Sequence, residues 1–120
     1  SPSKVYLNIG ISIPLGLCIN EILTNSLKYA FPGNKSGEIR INFHTEDNCL
    51  NMTISDNGIG LPVDFDISNV QSLGMQLIYA LVEQVEGSLE INKNGITEFK
   101  LCVPLKPEKE GVVNNKFILT

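Results

Sequence analysis

The sequence predicts an α/β (α+β) two-layer sandwich: a mixed, mostly antiparallel sheet of four to five strands with two main helices on one face. Three observations carry this reading. Two long segments place apolar residues at helical spacing, and they are separated by shorter stretches that alternate apolar and polar residues. The alternating stretches come in pairs joined by turn dipeptides, Asp47-Asn48 and Asn94-Gly95, so neighbouring strands pair as hairpins. The chain has 120 residues, enough for one core and too few for two.

Each element follows from its residues. Val5, Leu7 and Ile9 alternate in "KVYLNI" (4–9), a short strand. The stretch "SIPLGLCINEILTNSLKYAFPG" then takes helical spacing. Ser12 is placed to cap it, Pro14 suits a first turn, and Pro32-Gly33 stops it. Leu15, Ile19, Ile22, Leu23, Leu27 and Ala30 form its apolar side, Glu21, Asn25 and Lys28 its polar side, and Leu17 falls out of pattern near the polar stripe. "GEIRINFHTE" (37–46) and "CLNMTIS" (49–55) read as a hairpin. "LPVDFDISNVQS" has little periodicity and reads as a loop. "LGMQLIYALVEQVEG" (73–87) is a second helix with Leu77, Ile78, Leu81 and Val85 on its apolar stripe and Gly87 as its C-cap. "SLEINKN" and "ITEFKLCVPL" form the last hairpin. The domain is expected over residues 1–105, with 106–120 a tail or an extra strand.

Bulk properties exclude several function classes. A 42% hydrophobic and 18% charged composition is that of an ordinary globular chain. No apolar run approaches the ~20 residues that span a bilayer, and the first residues have no signal-peptide pattern. The absence of an initiating Met suggests a piece of a longer protein. The net charge is −4 and Arg40 is the sole arginine, which argues against a nucleic-acid partner. Cys18, Cys49 and Cys102 have no metal-ligand spacing; each reads as a small buried hydrophobe in a reducing, cytoplasmic setting.

Four stretches carry candidate chemistry. Glu21, Asn25 and Lys28 at i, i+4, i+7 offer one helix face a carboxylate that can orient a nucleophile, a neutral oxygen suited to Mg²⁺, and an ammonium for phosphate. Taken alone, the pattern also fits a solvated face with i, i+4 pairing. In "SDNGIGLP" (55–62), Gly58 and Gly60 let a ligand approach the backbone closely, and Asp56 at the strand end can accept a hydrogen bond from an amino group such as adenine's. A plain Asn-Gly turn fits the same letters. Gly74 in "QSLGMQLI" opens a helix whose free N–H groups favour phosphate. Thr97 in "GITEF" has a hydroxyl that can support Asp56 or a bridging water, although a β-branched residue on a strand needs no such role. Neither GxxxxGK[ST] nor GxGxxG occurs.

In order and spacing, "NEILTNSLKYAF", "DNGIGLP", "SLGMQLI" and "GITEFKLCVP" resemble the N box, first and second glycine boxes and terminal strand of a histidine-kinase catalytic domain. This is the ATP-binding fold shared by gyrase, Hsp90, histidine kinases and MutL, here similar to sensor kinases with a short ATP lid. The resemblance covers roughly residues 5–105. It implies ATP and Mg²⁺ as cofactors, with Asp56 on the adenine amino group and Gly58, Gly60 and Thr97 completing the base pocket. It implies Asn25 on Mg²⁺, Glu21 near the γ-phosphate as general base or water-orienting residue, Lys28 on phosphate, Tyr29 packed near the nucleotide, Gly74 facing the phosphates, and residues 61–73 as the lid.

The chain also departs from the family pattern. The second glycine box is poor in glycine, and Phe65 is at most a remnant of a phenylalanine-rich box. His44, the single histidine, sits in a predicted strand and reads as solvent-facing rather than as the phosphoacceptor. The resemblance therefore implies an acceptor histidine on a dimerisation and histidine-phosphotransfer domain of the same protein, upstream. A response regulator would be an indirect partner, and the isolated domain a monomer with little or no autophosphorylation. The alternatives within this fold are an anti-sigma-factor-type serine kinase, whose acceptor lies on a partner protein, and a non-catalytic nucleotide-binding docking module. A gyrase- or Hsp90-type ATPase needs a larger lid and a transducer domain.

Overall fold

The computed structural model describes residues 5–29, 36–58, 73–92, 96–105 and 116–119. Its elements are β1 (Val5–Asn8), α1 (Ile9–Tyr29), β2 (Ile39–Glu46), β3 (Cys49–Asp56), α2 (Leu73–Gln84), β4 (Ser88–Asn92), β5 (Thr97–Pro104) and β6 (Lys116–Leu119). A four-stranded sheet runs in the order β2-β3-β5-β4, antiparallel at each pairing, and carries α1 and α2 on one face. β1 and β6 form a separate antiparallel pair, Val5 opposite Leu119 through Asn8 opposite Lys116. The result is a two-layer α+β fold whose main sheet has four strands, as the alternation and turn signals predict.

The core lies between the layers. Leu50, Met52 and Ile54 of β3 and Phe99, Leu101 and Val103 of β5 meet Leu15, Cys18 and Ile22 of α1 and Met75, Ile78, Leu81 and Val82 of α2. These two central strands alternate buried residues with half-buried ones, exposed only at Lys100 of β5, whereas edge strand β2 is largely exposed. The half-buried positions include Cys49 and Cys102, which the sequence reads as buried. The outer face of the sheet is polar, with Arg40, Asn42, Asn51, Thr53 and Lys100. His44 is solvent-exposed there, as expected, 3.6 Å from Glu46.

Hairpin β2–β3 turns at Asp47-Asn48, where both residues have positive φ, 52° and 58°. That is the type I′ geometry, whose twist matches the flanking strands. The Asn94-Gly95 turn lies outside the described residues, but the strands it joins pair as predicted, Leu89 opposite Leu101.

The helix boundaries and faces differ from expectation in three ways. First, α1 begins at Ile9, not after Ser12, because Asn8 caps it: the Gly10 N–H donates to Asn8 Oδ1 at 2.7 Å. Pro14 therefore lies inside the helix. Second, Leu27 is 62% exposed and Leu77 39%. The buried stripe of α1 keeps the expected Leu15 and Ile22 but continues through Cys18 and Ser26, and Leu27 lies about 120° around the helix from Leu15 at ~100° per residue. Third, the left-handed residue ending α2 is Glu86, φ 58°, not Gly87. The Gly87 N–H bonds the Val82 carbonyl and the Glu86 N–H bonds the Glu83 carbonyl, each at 2.9 Å, which is a Schellman closure. Gly87 is required for another reason: a Cβ there would stand 2.8 Å from the backbone oxygen of Cys102.

Candidate functional site

The polar residues of α1 meet the start of α2. Glu21 and Asn25 are half-buried, lying on the flank of α1 that faces Gly74 rather than opposite its buried stripe. A methyl group added to Gly74 would stand 3.1 Å from Glu21 Oε2 and 3.6 Å from Asn25 Oδ1, so the bare glycine leaves just enough room for both side chains. The Asn25 amide nitrogen donates to Met75 Sδ at 3.5 Å. With its nitrogen engaged, Asn25 keeps its carbonyl oxygen as the end available to a ligand. Sequence reasoning missed Met75; its place next to Gly74 was the one available signal.

The second half of the site is built by the central strands. Asp56 ends β3 and Thr97 begins β5, directly opposite each other in register. Both are 4% exposed, an unusual state for a carboxylate and a hydroxyl. By alternation they share the helix-facing side of the sheet with Ile54 and Phe99. Asp56 Oδ1 accepts the Gly58 N–H at 3.1 Å, so the turn after β3 folds back on the carboxylate and supplies it with a donor. Asn57 holds the same turn from the other side: its Oδ1 accepts the Glu38 N–H at 2.8 Å and its N–H bonds the Glu38 carbonyl at 3.2 Å. Thr97 Oγ1 is buried with no hydrogen-bond partner among the described residues. A buried hydroxyl left unpaired costs about 1–3 kcal/mol, so it marks a place where a ligand or water belongs.

The remaining predicted positions divide. Lys28 is exposed, one turn beyond Asn25. Tyr29 ends α1, but its side chain lies outside the described residues, as do Gly60 and nearly all of the expected lid. A groove of about 430 Å³ lined by Glu38, Arg40, Asn42, Ser55, Asp56, Asn57 and Ile96 opens on the outer face of the sheet. It includes neither Glu21, Asn25 nor Gly74, and is not the place where the polar residues of α1 meet α2. Among the described residues, no group of three or more His, Cys, Asp or Glu is placed to hold a metal ion by itself. No described helix is long and apolar enough to cross a membrane.

Comparison with known proteins identifies the fold and the family. Residues 10–107 match the family model described as histidine kinase-, DNA gyrase B-, and HSP90-like ATPase. Among relatives, the chain is 29% identical over 104 residues to blue-light-activated histidine kinase 2 of Erythrobacter litoralis, covering 85% of this chain and 30% of that protein. It is 32% identical over 75 residues to the sensor histidine kinase PdtaS of Mycobacterium tuberculosis, covering 61% of this chain and 15% of PdtaS. It is 29% identical over 86 residues to the serine-protein kinase RsbW of Listeria innocua, covering 60% of this chain and 55% of RsbW. The histidine kinase domain of the E. litoralis EL346 blue-light-activated kinase superposes with a TM-score of 0.73 at 30% identity, over 80% of this chain and 48% of that one. The chain thus spans about a third of the first of these kinases and a smaller share of PdtaS. The match takes in α1, the turn after β3, the start of α2 and the whole four-stranded sheet, and the chain belongs to the histidine kinase-, DNA gyrase B- and HSP90-like ATPase family.

Proposed function

We propose that this chain is the ATP-binding catalytic domain of a two-component sensor histidine kinase. It transfers the ATP γ-phosphate to a histidine on an upstream dimerisation and phosphotransfer domain of the same protein, and a response regulator then draws on that phosphohistidine. The observation that carries the reading is the pairing of two half-sites on the helix-facing side of one sheet. One is a buried carboxylate beside an unpartnered hydroxyl (Asp56, Thr97); the other is a carboxylate and an amide held against a helix start (Glu21, Asn25, Gly74).

Each residue has a role in this reading. Asp56 accepts the adenine amino group through the carboxylate oxygen not bonded to Gly58. Thr97 gives its orphaned hydroxyl to the base or a bridging water, and Gly58 and Gly60 let the base lie close to the backbone. The first amides of α2, at Gly74, face the phosphates. Lys28 neutralises phosphate charge, and Tyr29 packs near the nucleotide. Asn25 Oδ1, a neutral oxygen next to the phosphate end, fits a site for Mg²⁺, which takes oxygen ligands and supplies charge neutralisation on the phosphates. Glu21, beside it, orients the attacking imidazole or takes its proton. Phosphoryl transfer asks little more of a protein than positioning and electrostatic stabilisation. The setting is cytoplasmic, without nucleic acid, and the isolated domain is monomeric.

A second reading has one observation in its favour: the similarity to the serine-protein kinase RsbW, which would make the acceptor a serine on a partner protein. One experiment separates them. The full-length parent protein is incubated with γ-labelled ATP and Mg²⁺, and the label is challenged with acid. Phosphohistidine loses the label in acid; phosphoserine keeps it. The histidine-kinase reading expects acid-labile label on the parent protein itself. Acid-stable label, or no label at all, refutes it; no label with nucleotide still bound in calorimetry leaves a non-catalytic nucleotide-binding docking module.

A further inference from the structure

The nucleotide reading assigns Asn57 no role, although Asn57 is the residue at which the chain leaves β3. It follows Asp56 directly and lies opposite Glu38, one step beyond the last ladder pair, Ile39 opposite Asp56. In a regular antiparallel pair of this kind, two residues exchange N–H and main-chain carbonyl. Only half of that exchange is regular here. The Asn57 N–H donates to the Glu38 carbonyl at 3.2 Å, but the Glu38 N–H donates to the side-chain Oδ1 of Asn57 at 2.8 Å. The side chain thus stands in for its own main-chain carbonyl. Pairing with β2 runs one residue further while the main chain is released to turn. It turns at once, since the next amide, Gly58, donates to Asp56 Oδ1 at 3.1 Å.

We infer that Asn57 is a positioning residue that sets selectivity for adenine by fixing the Asp56 carboxylate. The inference rests on the assignment of Asp56 to the adenine amino group. Asp56 is the last residue of its strand, and strand ends are where a ladder opens most readily. The Asn57 clamp moves that open end one residue past the carboxylate. Asp56 is then held by the clamp on its chain neighbour and by the Gly58 amide on one of its own oxygens. Asn57 and Glu38 are exposed and line the groove on the outer face of the sheet. Asn57 therefore acts through Asp56 and does not touch the base. The residue type fits the task. An asparagine side chain carries a carbonyl oxygen at the reach needed to replace a main-chain acceptor in a turn, and it adds no charge beside Asp56 and Glu38. An acceptor fixed in advance separates an amino group from a carbonyl oxygen on the base; an acceptor that must first be ordered does so less well.

The test compares ATP with inosine triphosphate, which carries an oxygen where adenine carries its amino group. Calorimetry measures both affinities for the parent chain and for Asn57→Ala. Hydrogen exchange of the Gly58 amide, followed by NMR without nucleotide, reads the hold on Asp56 directly. The parent should bind ATP about tenfold or more tightly than inosine triphosphate. Asn57→Ala should weaken ATP binding about threefold to tenfold, the worth of one hydrogen bond, and inosine triphosphate binding by less than about twofold. It should speed Gly58 exchange about threefold to tenfold as well. Asn57→Asp keeps the acceptor oxygen and should restore Gly58 protection. A parent with no preference for ATP overturns the adenine assignment and this inference with it. A preference that survives Asn57→Ala, equal losses for the two nucleotides, unchanged Gly58 exchange, or exchange in Asn57→Asp as fast as in Asn57→Ala overturns the role of Asn57 alone.

Discussion

Asp56 gives the most direct test of the nucleotide reading, because its two oxygens have separable tasks. One accepts the Gly58 N–H at 3.1 Å and keeps the turn; the other is assigned to adenine. Asp56→Asn can retain the first through its amide oxygen while presenting a donor to the adenine amino group. Loss of one charge-assisted hydrogen bond costs about 1.5–3 kcal/mol, so ATP affinity should fall about tenfold to a hundredfold in calorimetry with Tm little changed. Unaltered affinity would show that the carboxylate does not contact the base. Asn25→Ala removes the carbonyl oxygen beside Gly74 but not the fold. It should abolish the Mg²⁺ dependence of nucleotide binding, and a variant that responds to Mg²⁺ like the parent would contradict its role. Cys18 supports a pH prediction. Burial pushes its thiol from 9.0 up to about 11. The folded state keeps this proton after the unfolded chain has lost it, so the stabilisation is complete below pH 9 and disappears as pH rises from 9 through about 11. Its size is about 2–3 kcal/mol. Denaturant titrations at pH 8 and 11 should show the parent losing this much more than Cys18→Ala; parallel losses would refute the assignment.

The two helices show where local sequence signals are decisive and where packing overrides them. Alternation fixed the hairpins because each β3 and β5 residue has only two faces to choose from, and Asp47-Asn48 carries its own turn chemistry. The helices were less determinate. Both Ser12 and Asn8 are capping residues, and only the Asn8 side chain reaches a free N–H, at Gly10. The face of α1 was misjudged by part of a turn. Cys18 is buried as its apolar setting predicts, but Ser26 looks polar in a sequence yet lies on the same buried stripe, and Leu27 looks like core yet is exposed. The same rotation brings Glu21 and Asn25 into contact with α2, so this error concerned the site itself. Gly87 was legible as a stop, but the reason for a glycine there is tertiary: the closeness of the Cys102 carbonyl. Gly87→Ala puts a methyl group 2.8 Å from a backbone oxygen that cannot move without β5. It should cost about 1–3 kcal/mol, seen as a lower Tm with nucleotide affinity retained. An unchanged Tm would mean that the α2–β4 corner relaxes freely.

Over the whole molecule, the order of the motifs along the chain was informative because the fold brings segments far apart in sequence to one side of the sheet. The pairing of Thr97 with Asp56 could not be read from either residue alone; it comes from the β3–β5 register. The partner of β1 was equally hidden. Four alternating residues announce a strand but not its neighbour, and the neighbour proves to be β6, at the other end of the chain. This pair holds no proposed nucleotide contact, which separates stability from binding in a simple way. Ending the chain at Leu105 deletes β6, leaves β1 without its ladder, and uncovers part of Leu7, a core residue 2% exposed and opposite Phe117. Full burial of a leucine is worth about 1.5–3 kcal/mol. Losing part of that with the ladder should lower Tm by about 5–10 °C for a domain of this size. β5 itself stays anchored, since the Leu105 N–H bonds the Asn48 carbonyl at 2.7 Å. Calorimetry should therefore find ATP affinity within about twofold of the full chain at a temperature where both are folded. An unchanged Tm would show that β6 adds nothing to the core, and a collapse of affinity at full folding would show that the terminal pair belongs to the nucleotide site after all.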